Sequence, residues 1–177
     1  MTEAYDSVPA PHGAEERTPG GFVVLGLSPE PFAPLFKMTA EELASRDIDT
    51  HIADDDVPCR ISLSAPAAGT RVLLINYHHL DAKSPYASAG PIFISEEAGS
   101  QGRYLNFLPP VLASRLLSTR AYDEADRMLD AQVCEGSAAA PIISAMLDVP
   151  DVHYLHLHFA KRGCFAARVI RTEATPS

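Results

Sequence analysis

The 177-residue sequence has few cysteines, no basic segment and no long apolar segment. Its three cysteines, Cys59, Cys134 and Cys164, are odd in number and widely spaced, which argues against a secreted disulfide framework and favours a reducing compartment. The formal net charge is −9, so we expect neither nucleic acid nor an anionic membrane as a partner. No segment approaches the ~20 apolar residues of a membrane span, and the N-terminus lacks a signal-peptide pattern. These absences predict a cytoplasmic protein whose partners are small molecules or proteins.

The expected domain organisation is one folded unit between two tails. Residues 1–21 are rich in proline, glycine and acidic residues and lack periodicity, which predicts a flexible N-terminal tail. Residues 172–177 form a second expected tail. With 46% hydrophobic residues, the intervening 22–171 is long enough for one domain with its own core.

The first half of the chain predicts mainly strands. Thr39-Ala-Glu-Glu42 fits a capping box, so a short helix is expected there. Residues 72–75 are all apolar, which predicts a central strand covered on both faces. The predicted strands are 22–27, 59–64, 71–78, 90–95 and 104–108, with 59–64 and 71–78 paired as a hairpin.

The second half predicts helices followed by a hairpin. Helices are expected at 110–117, from a cap at Asp123 to a stop at Gly136, and at 137–147 before Pro150. Strands at 152–159 and 163–171 then surround a tight turn. The predicted fold class is α+β, with a mostly antiparallel sheet covered by helices and a C-terminal β-hairpin.

The first strand of that hairpin carries the most informative pattern. Because side chains alternate along a strand, Tyr154, His156 and His158 share the face opposite Leu155, Leu157 and Phe159. Imidazoles titrate near neutral pH, so His156 or His158 could serve as a general acid or base. Half-buried structural histidines, a subunit contact and a metal site are the alternatives. A metal site would need further ligands from among His51, His78, His79 and Asp54 to Asp56.

Two other groups of residues are candidates. Cys164 could be a nucleophile if Arg60, Arg162 or a histidine favours its thiolate, although free cysteines usually pack as small hydrophobes. Whether Cys59 lies beside it is left open. Anion binding is predicted for arginines and tyrosines that can donate charge-assisted or hydroxyl hydrogen bonds, namely Arg60, Tyr77, Tyr86, Arg162 and Arg168.

Several short motifs resemble a family of bacterial proteins known as domain of unknown function 1203. They are Pro58-Cys59-Arg60, Gly69-Thr-Arg-Val-Leu-Leu74, Ser84-Pro-Tyr86, Gly90-Pro-Ile-Phe93, Tyr122-Asp123 and Gly163-Cys164-Phe165 with Arg168. The resemblance spans about residues 22–171. Ser62 stands where the family commonly has a second cysteine, and the family's Arg-Asn pair is absent near His158. The resemblance implies a bacterial single-domain protein and no particular reaction.

The leading hypothesis is a small-molecule-binding domain, with or without enzymatic activity, that takes an anionic ligand. Its pocket would combine the end of strand 71–78, the loop 84–90 and the C-terminal hairpin. Arg60 and Arg168 would hold the anion, Tyr77 or Tyr86 would orient it, and His156 or His158 would transfer protons. The alternatives are an interaction module that forms a homodimer through the histidine face, and a histidine-based metal-binding protein. No cofactor motif is complete, so the cofactor is left unassigned.

Overall fold

The computed structural model describes residues 21–54 and 56–172, so most of the expected tails at 1–21 and 172–177 lies outside the described residues. The strands are β1 (Phe22–Leu25), β2 (Asp49–Ile52), β3 (Arg71–Leu80), β4 (Ser88–Ser95), β5 (Arg103–Leu105), β6 (Leu116–Tyr122), β7 (Met128–Glu135), β8 (Tyr154–Phe159) and β9 (Phe165–Arg171). The α-helices are α1 (Ala40–Ala44), α2 (Pro110–Ala113) and α3 (Ala139–Asp148). Short 3-10 helices occupy Leu35–Lys37 and Gly136–Ala138.

A six-stranded antiparallel sheet forms the larger layer, in the order β5-β1-β9-β8-β6-β7. One of its faces is apolar because alternate residues of β6, β8 and β9 are aliphatic or small. That face packs on α3 through buried residues such as Ile143, Met146 and Leu147. Leu155 and Leu157 of β8 belong to the same core.

A second, three-stranded antiparallel sheet has the order β2-β3-β4 and contacts the larger sheet through β4 and β9. Its core includes Leu73 and Ile75 of β3 and Ile92 of β4, which pack with Phe165 of β9. Phe165 therefore joins the two sheets. The C-terminal half of β3 lies along the face of the large sheet that α3 does not cover.

Several local predictions are confirmed. Both hydrogen bonds of the Thr39 capping box are present at the start of α1. Strand β3 is central in its sheet, and β8 and β9 form the expected C-terminal hairpin. The helix expected at 137–147 is present as α3, preceded by a 3-10 turn.

Three predictions are wrong. Residues 59–64 form a buried turn rather than a strand, because Leu63 has a φ of 57° and its N–H donates back to the Cys59 carbonyl. Strand β3 pairs instead with β2. The helix expected after Asp123 is strand β7, and the helix starting at Pro110 ends at Ala113, before β6.

The mostly antiparallel α+β character is confirmed, but the covering of the sheet by helices is not. One face of the large sheet carries α3, and part of the other face packs on the second sheet. In residues 21–54 and 56–172, no helix combines the length and apolar character that a membrane crossing requires.

Candidate functional site

The face of the large sheet opposite α3 is polar where β6, β8 and β9 run side by side. His156 of β8 lies directly opposite Arg120 of β6 on one side and Arg168 of β9 on the other, so these three residues form one row across the strands. The next row along β8 places His158 between Ser118 and Phe165. We call Arg120, His156, His158 and Arg168 the arginine–histidine face.

The histidines of this face are buried by the chain itself. His156 is 2% exposed and His158 is 0% exposed. His79, from the end of β3, stacks on Phe165 at a ring-centroid distance of 5.4 Å. Its ring lies 6.0 Å from that of His156 and 4.9 Å from that of His158. The end of β3 therefore covers the two histidines of β8.

Each of the three clustered imidazoles has a buried nitrogen without a hydrogen-bond partner in the described part of the chain. These atoms are Nδ1 of His79, Nδ1 of His156 and Nε2 of His158. The other nitrogen of His79 bonds to the Ser88 hydroxyl at 2.8 Å, and Nδ1 of His158 bonds to the Gly163 carbonyl at 2.9 Å. Buried polar atoms are normally satisfied, so each unsatisfied one calls for an explanation, such as a catalytic role or a bound water or ion. The cluster is therefore the strongest candidate site in the fold.

Burial and nearby positive charge keep these imidazoles neutral. Desolvation lowers the pKa of His156 to about 2, with further lowering by His158 and Arg168. Desolvation also lowers the pKa of His158 to about 4, against the opposing effect of its hydrogen bond to Gly163. The pKa of His79 is lowered by burial and then by Arg120. At neutral pH each ring therefore offers one lone pair and one N–H.

The two arginines of the face have unused donors. Among residues 21–54 and 56–172, neither Arg120 nor Arg168 forms an ion pair. Arg120 donates from Nε to Ser118 at 3.3 Å, and the Arg168 guanidinium carbon lies 4.1 Å from the Tyr154 ring centroid. Arg168 is exposed and Arg120 is half-buried. The face thus has a buried neutral floor and a cationic rim open to solvent.

Tyr154, which is buried, and Asp126 lie beside the arginine–histidine face. The Tyr154 hydroxyl donates to Asp126 Oδ1 at 2.6 Å, and burial with this bond raises the Tyr154 pKa. Asp126 also accepts from Ser84 through its carbonyl at 2.9 Å, which ties the loop after β3 to the turn between β6 and β7. Asp126 has a φ of 58°, a left-handed conformation that aspartate tolerates better than most residues.

The structure places the predicted anion-binding residues in different parts of the fold. Burial raises the pKa of Tyr77, and the charge of Arg168 opposes this rise. Tyr86 is 40% exposed and lies close enough to Tyr122 to raise its pKa, although burial is the main cause of that rise. Arg162 is exposed in the turn before β9.

Arg60 lies outside the arginine–histidine face and binds backbone carbonyls of the fold. It is 4% exposed, and it donates to the Phe165 carbonyl at 3.0 Å and to the Pro58 carbonyl at 2.6 Å. Its guanidinium stacks on Phe159, whose side chain alternates to the face opposite the histidines. Burial lowers the pKa of Arg60 to about 10. Arg60 therefore holds the buried turn 59–64 against the hairpin.

The cysteines are free thiols. Cys59 is buried and Cys164 is half-buried, and both lie close enough to Arg60 to raise its pKa against the effect of burial. Cys164 contacts the Arg162 carbonyl through sulfur at 3.8 Å. Its backbone follows Gly163, whose carbonyl orients His158.

Sequence reasoning missed Arg120 and Tyr122, which belong to β6. The run Leu-Leu-Ser-Thr-Arg-Ala-Tyr at 116–122 alternates between the two faces, with Leu117, Thr119 and Ala121 buried on the α3 side. That period of two was a usable strand signal. His79 was considered only as a metal ligand. Within the described chain, no group of three or more His, Cys, Asp or Glu side chains is arranged to hold a metal ion.

The fold and the site together define a two-sheet α+β protein with a buried imidazole cluster beneath two arginines that form no ion pair with the part of the chain that the structure describes. The family model described as a protein of unknown function (DUF1203) matches residues 56–171, which is more than half of the chain. The chain belongs to this family. The matched segment contains every residue of the arginine–histidine face. No curated protein and no solved structure matches the chain.

Proposed function

We propose that this protein binds a small organic anion on the arginine–histidine face. The observation that carries the proposal is the pair Arg120 and Arg168, which flank a buried neutral His156 without an ion-pair partner in the described residues. Guanidinium groups bind carboxylates and phosphates through charge-assisted hydrogen bonds. In a chain of net charge −9, two such groups left unpaired beside one imidazole suit an anionic ligand.

The surrounding side chains fit a ligand that enters from the rim. Tyr77 and Tyr86 are half-buried and exposed, respectively, and their hydroxyls are suited to orient a polar ligand. His156 has an unpartnered nitrogen beneath the arginines. Because burial lowers the pKa of His156 to about 2, its ring stays neutral, and we propose that it contributes a hydrogen bond to the ligand and does not accept a proton.

The test is a thermal-shift scan of the protein against carboxylates, phosphate esters and divalent metal ions, followed by calorimetry of each hit. A ligand at 100 times its Kd stabilises the folded state by about 2.7 kcal/mol. We expect a carboxylate or phosphate ester to raise the melting temperature, and Arg168→Ala and Arg120→Ala to lose at least tenfold in affinity.

Arg162→Ala is the matched control, because it removes the same charge from an exposed position in the turn before β9. It should keep the affinity of the parent protein. Equal losses in the Arg162 and Arg168 variants would mean that net charge alone attracts the anion, and the proposed site would be rejected. A rise with metal ions alone would instead favour the metal-binding alternative.

A further inference from the structure

The small sheet has an edge along β3 that the chain leaves open. In an antiparallel strand, the backbone groups of successive residues point alternately to the neighbour on one side and to the neighbour on the other. The carbonyl of Thr70, just before β3, accepts from the Ala53 N–H on the β2 side. Pro91 of β4, which has no N–H, lies opposite Asn76. The even-numbered residues of β3 therefore direct their backbone N–H and C=O toward β2.

Strand β2 is too short to pair with all of these groups. Its first residue, Asp49, lies opposite Leu74. Asp47, two residues earlier, has a φ of 55°, which no strand residue adopts, so the pairing stops there. Asn76 and His78 lie beyond Leu74 and face the same side. Within the described chain, their backbone groups have no hydrogen-bond partner on that side.

A groove of about 450 Å³ lies along this open edge. Its lining includes Asn76 and His78 together with three apolar side chains, Phe32, Leu35 and Ile48. Proteins bind extended peptides at such edges as an added strand, where main-chain hydrogen bonds supply affinity and side-chain pockets supply specificity. The groove thus combines the two elements that this mode of recognition needs.

The charged residues of the groove lining indicate the direction of the peptide. Arg46 precedes the start of β2, and Asp81 follows the end of β3. Both are exposed, and neither forms an ion pair with another described residue. A peptide antiparallel to β3 would run in the direction of β2, with its carboxyl end toward Arg46 and its amino end toward Asp81. Each free terminus then meets a side chain of opposite charge.

We propose that this groove binds a short peptide with free termini as an additional strand, antiparallel to β3 and about five residues long at about 3.4 Å per residue. The rings of Tyr77 and Phe32 lie 5.9 Å apart, so the peptide residue opposite Tyr77 has its side chain on the Phe32 face of the strand. That residue is apolar. The residues on either side of it exchange backbone hydrogen bonds with Asn76 and His78. The groove is separate from the arginine–histidine face, and the inference does not depend on the anion proposed above.

Calorimetry with the free pentapeptide Thr-Thr-Leu-Thr-Thr tests the proposal. With leucine opposite Tyr77, the N–H of the fourth residue bonds to β3 at Asn76, whereas the N–H of the leucine points away from β3. We expect N-methylation of the fourth residue to weaken binding at least about tenfold, and N-methylation of the leucine to change it by less than about twofold. Replacing the leucine with serine should also cost about tenfold.

Arg46→Ala tests the direction of the peptide. It should weaken binding of the free peptide about fivefold, and Arg103→Ala, at an exposed position of β5 in the other sheet, is the matched control that should leave binding unchanged. A peptide with an amidated carboxyl end should bind the parent protein about fivefold more weakly and lose nothing further in Arg46→Ala.

Three results would overturn the inference. The first is no binding at millimolar concentration of any of three peptides with leucine, phenylalanine or valine at the centre. The second is equal affinity for the two N-methylated peptides, because strand addition requires that they differ. The third is an equal loss in the Arg46 and Arg103 variants, which would mean that general charge attracts the peptide. None of these results bears on the anion proposal, which the Arg168 variant tests separately.

Discussion

Acid should destabilise this protein through its buried histidines. Burial lowers the folded-state pKa of His156 to about 2 and that of His158 to about 4, whereas an unfolded histidine titrates near 6.5. Between these values the unfolded chain binds more protons, so stability is complete above pH 6.5 and falls as the pH drops below it. At pH 5, which is about 1.5 units below the unfolded pKa, each of the two histidines lowers the free energy of unfolding by about 2 kcal/mol, at about 1.36 kcal/mol per pH unit. Together they lower it by about 4 kcal/mol.

Urea unfolding at pH 7.5 and pH 5 measures this effect. His158→Asn removes one titrating group, so its loss of stability between the two pH values should be about 2 kcal/mol smaller than that of the parent protein. The exposed His153→Asn variant should lose as much as the parent. Because the carboxylates contribute equally to all three proteins, they cancel in the comparison. Identical losses in the His158 variant and the parent would refute the buried, neutral state of His158.

Three further predictions concern the framework and are measured by urea unfolding. Thr39→Ala removes the hydroxyl that accepts from the Glu42 N–H but keeps the backbone N–H that donates to the Glu42 carboxylate, and it should cost about 1 kcal/mol. Gly26→Ala would place a Cβ 2.0 Å from the Ile61 carbonyl oxygen and should cost at least about 2 kcal/mol, whereas Gly90→Ala, which meets no atom within 4 Å, should cost less than half as much. Arg60→Met should cost about 3 kcal/mol because two buried carbonyls lose their charged donor, yet it should leave anion affinity unchanged. If an Arg60 variant kept its stability but lost affinity for the anion, Arg60 would have to be assigned to the binding site.

The C-terminal hairpin was predictable because its alternation of apolar and polar residues is local. Strand β7 was not predictable, because Asp123 can accept the same kind of backbone hydrogen bond in a helix cap and in a turn. In the structure its Oδ1 accepts from the N–H groups of Ala125 and Arg127, which closes the turn between β6 and β7. Leu129 and Val133, spaced as on a helix face, are instead exposed on an edge strand.

The candidate site was predictable only in part, since its assembly depends on how the two sheets pack. The pattern of β8 indicates that His156 and His158 share a face, and the structure agrees. That His79 closes over them, while Arg60 is directed to framework carbonyls, follows from contacts between residues about 80 to 105 positions apart. No local pattern encodes such contacts.

Strand β8 is buried along its whole length and flanked on both sides by partner strands. Its amides should therefore be among the slowest in the molecule to exchange with deuterated solvent, since they open only in large-scale unfolding. The imidazoles of the candidate site are thus mounted on one of the most rigid parts of the backbone. Because these side chains are already ordered, binding of the proposed anion would require little loss of conformational entropy from the protein. Selectivity would then depend on the shape and donor pattern of the incoming molecule, and homologues could change ligand by altering the exposed rim while keeping this strand intact.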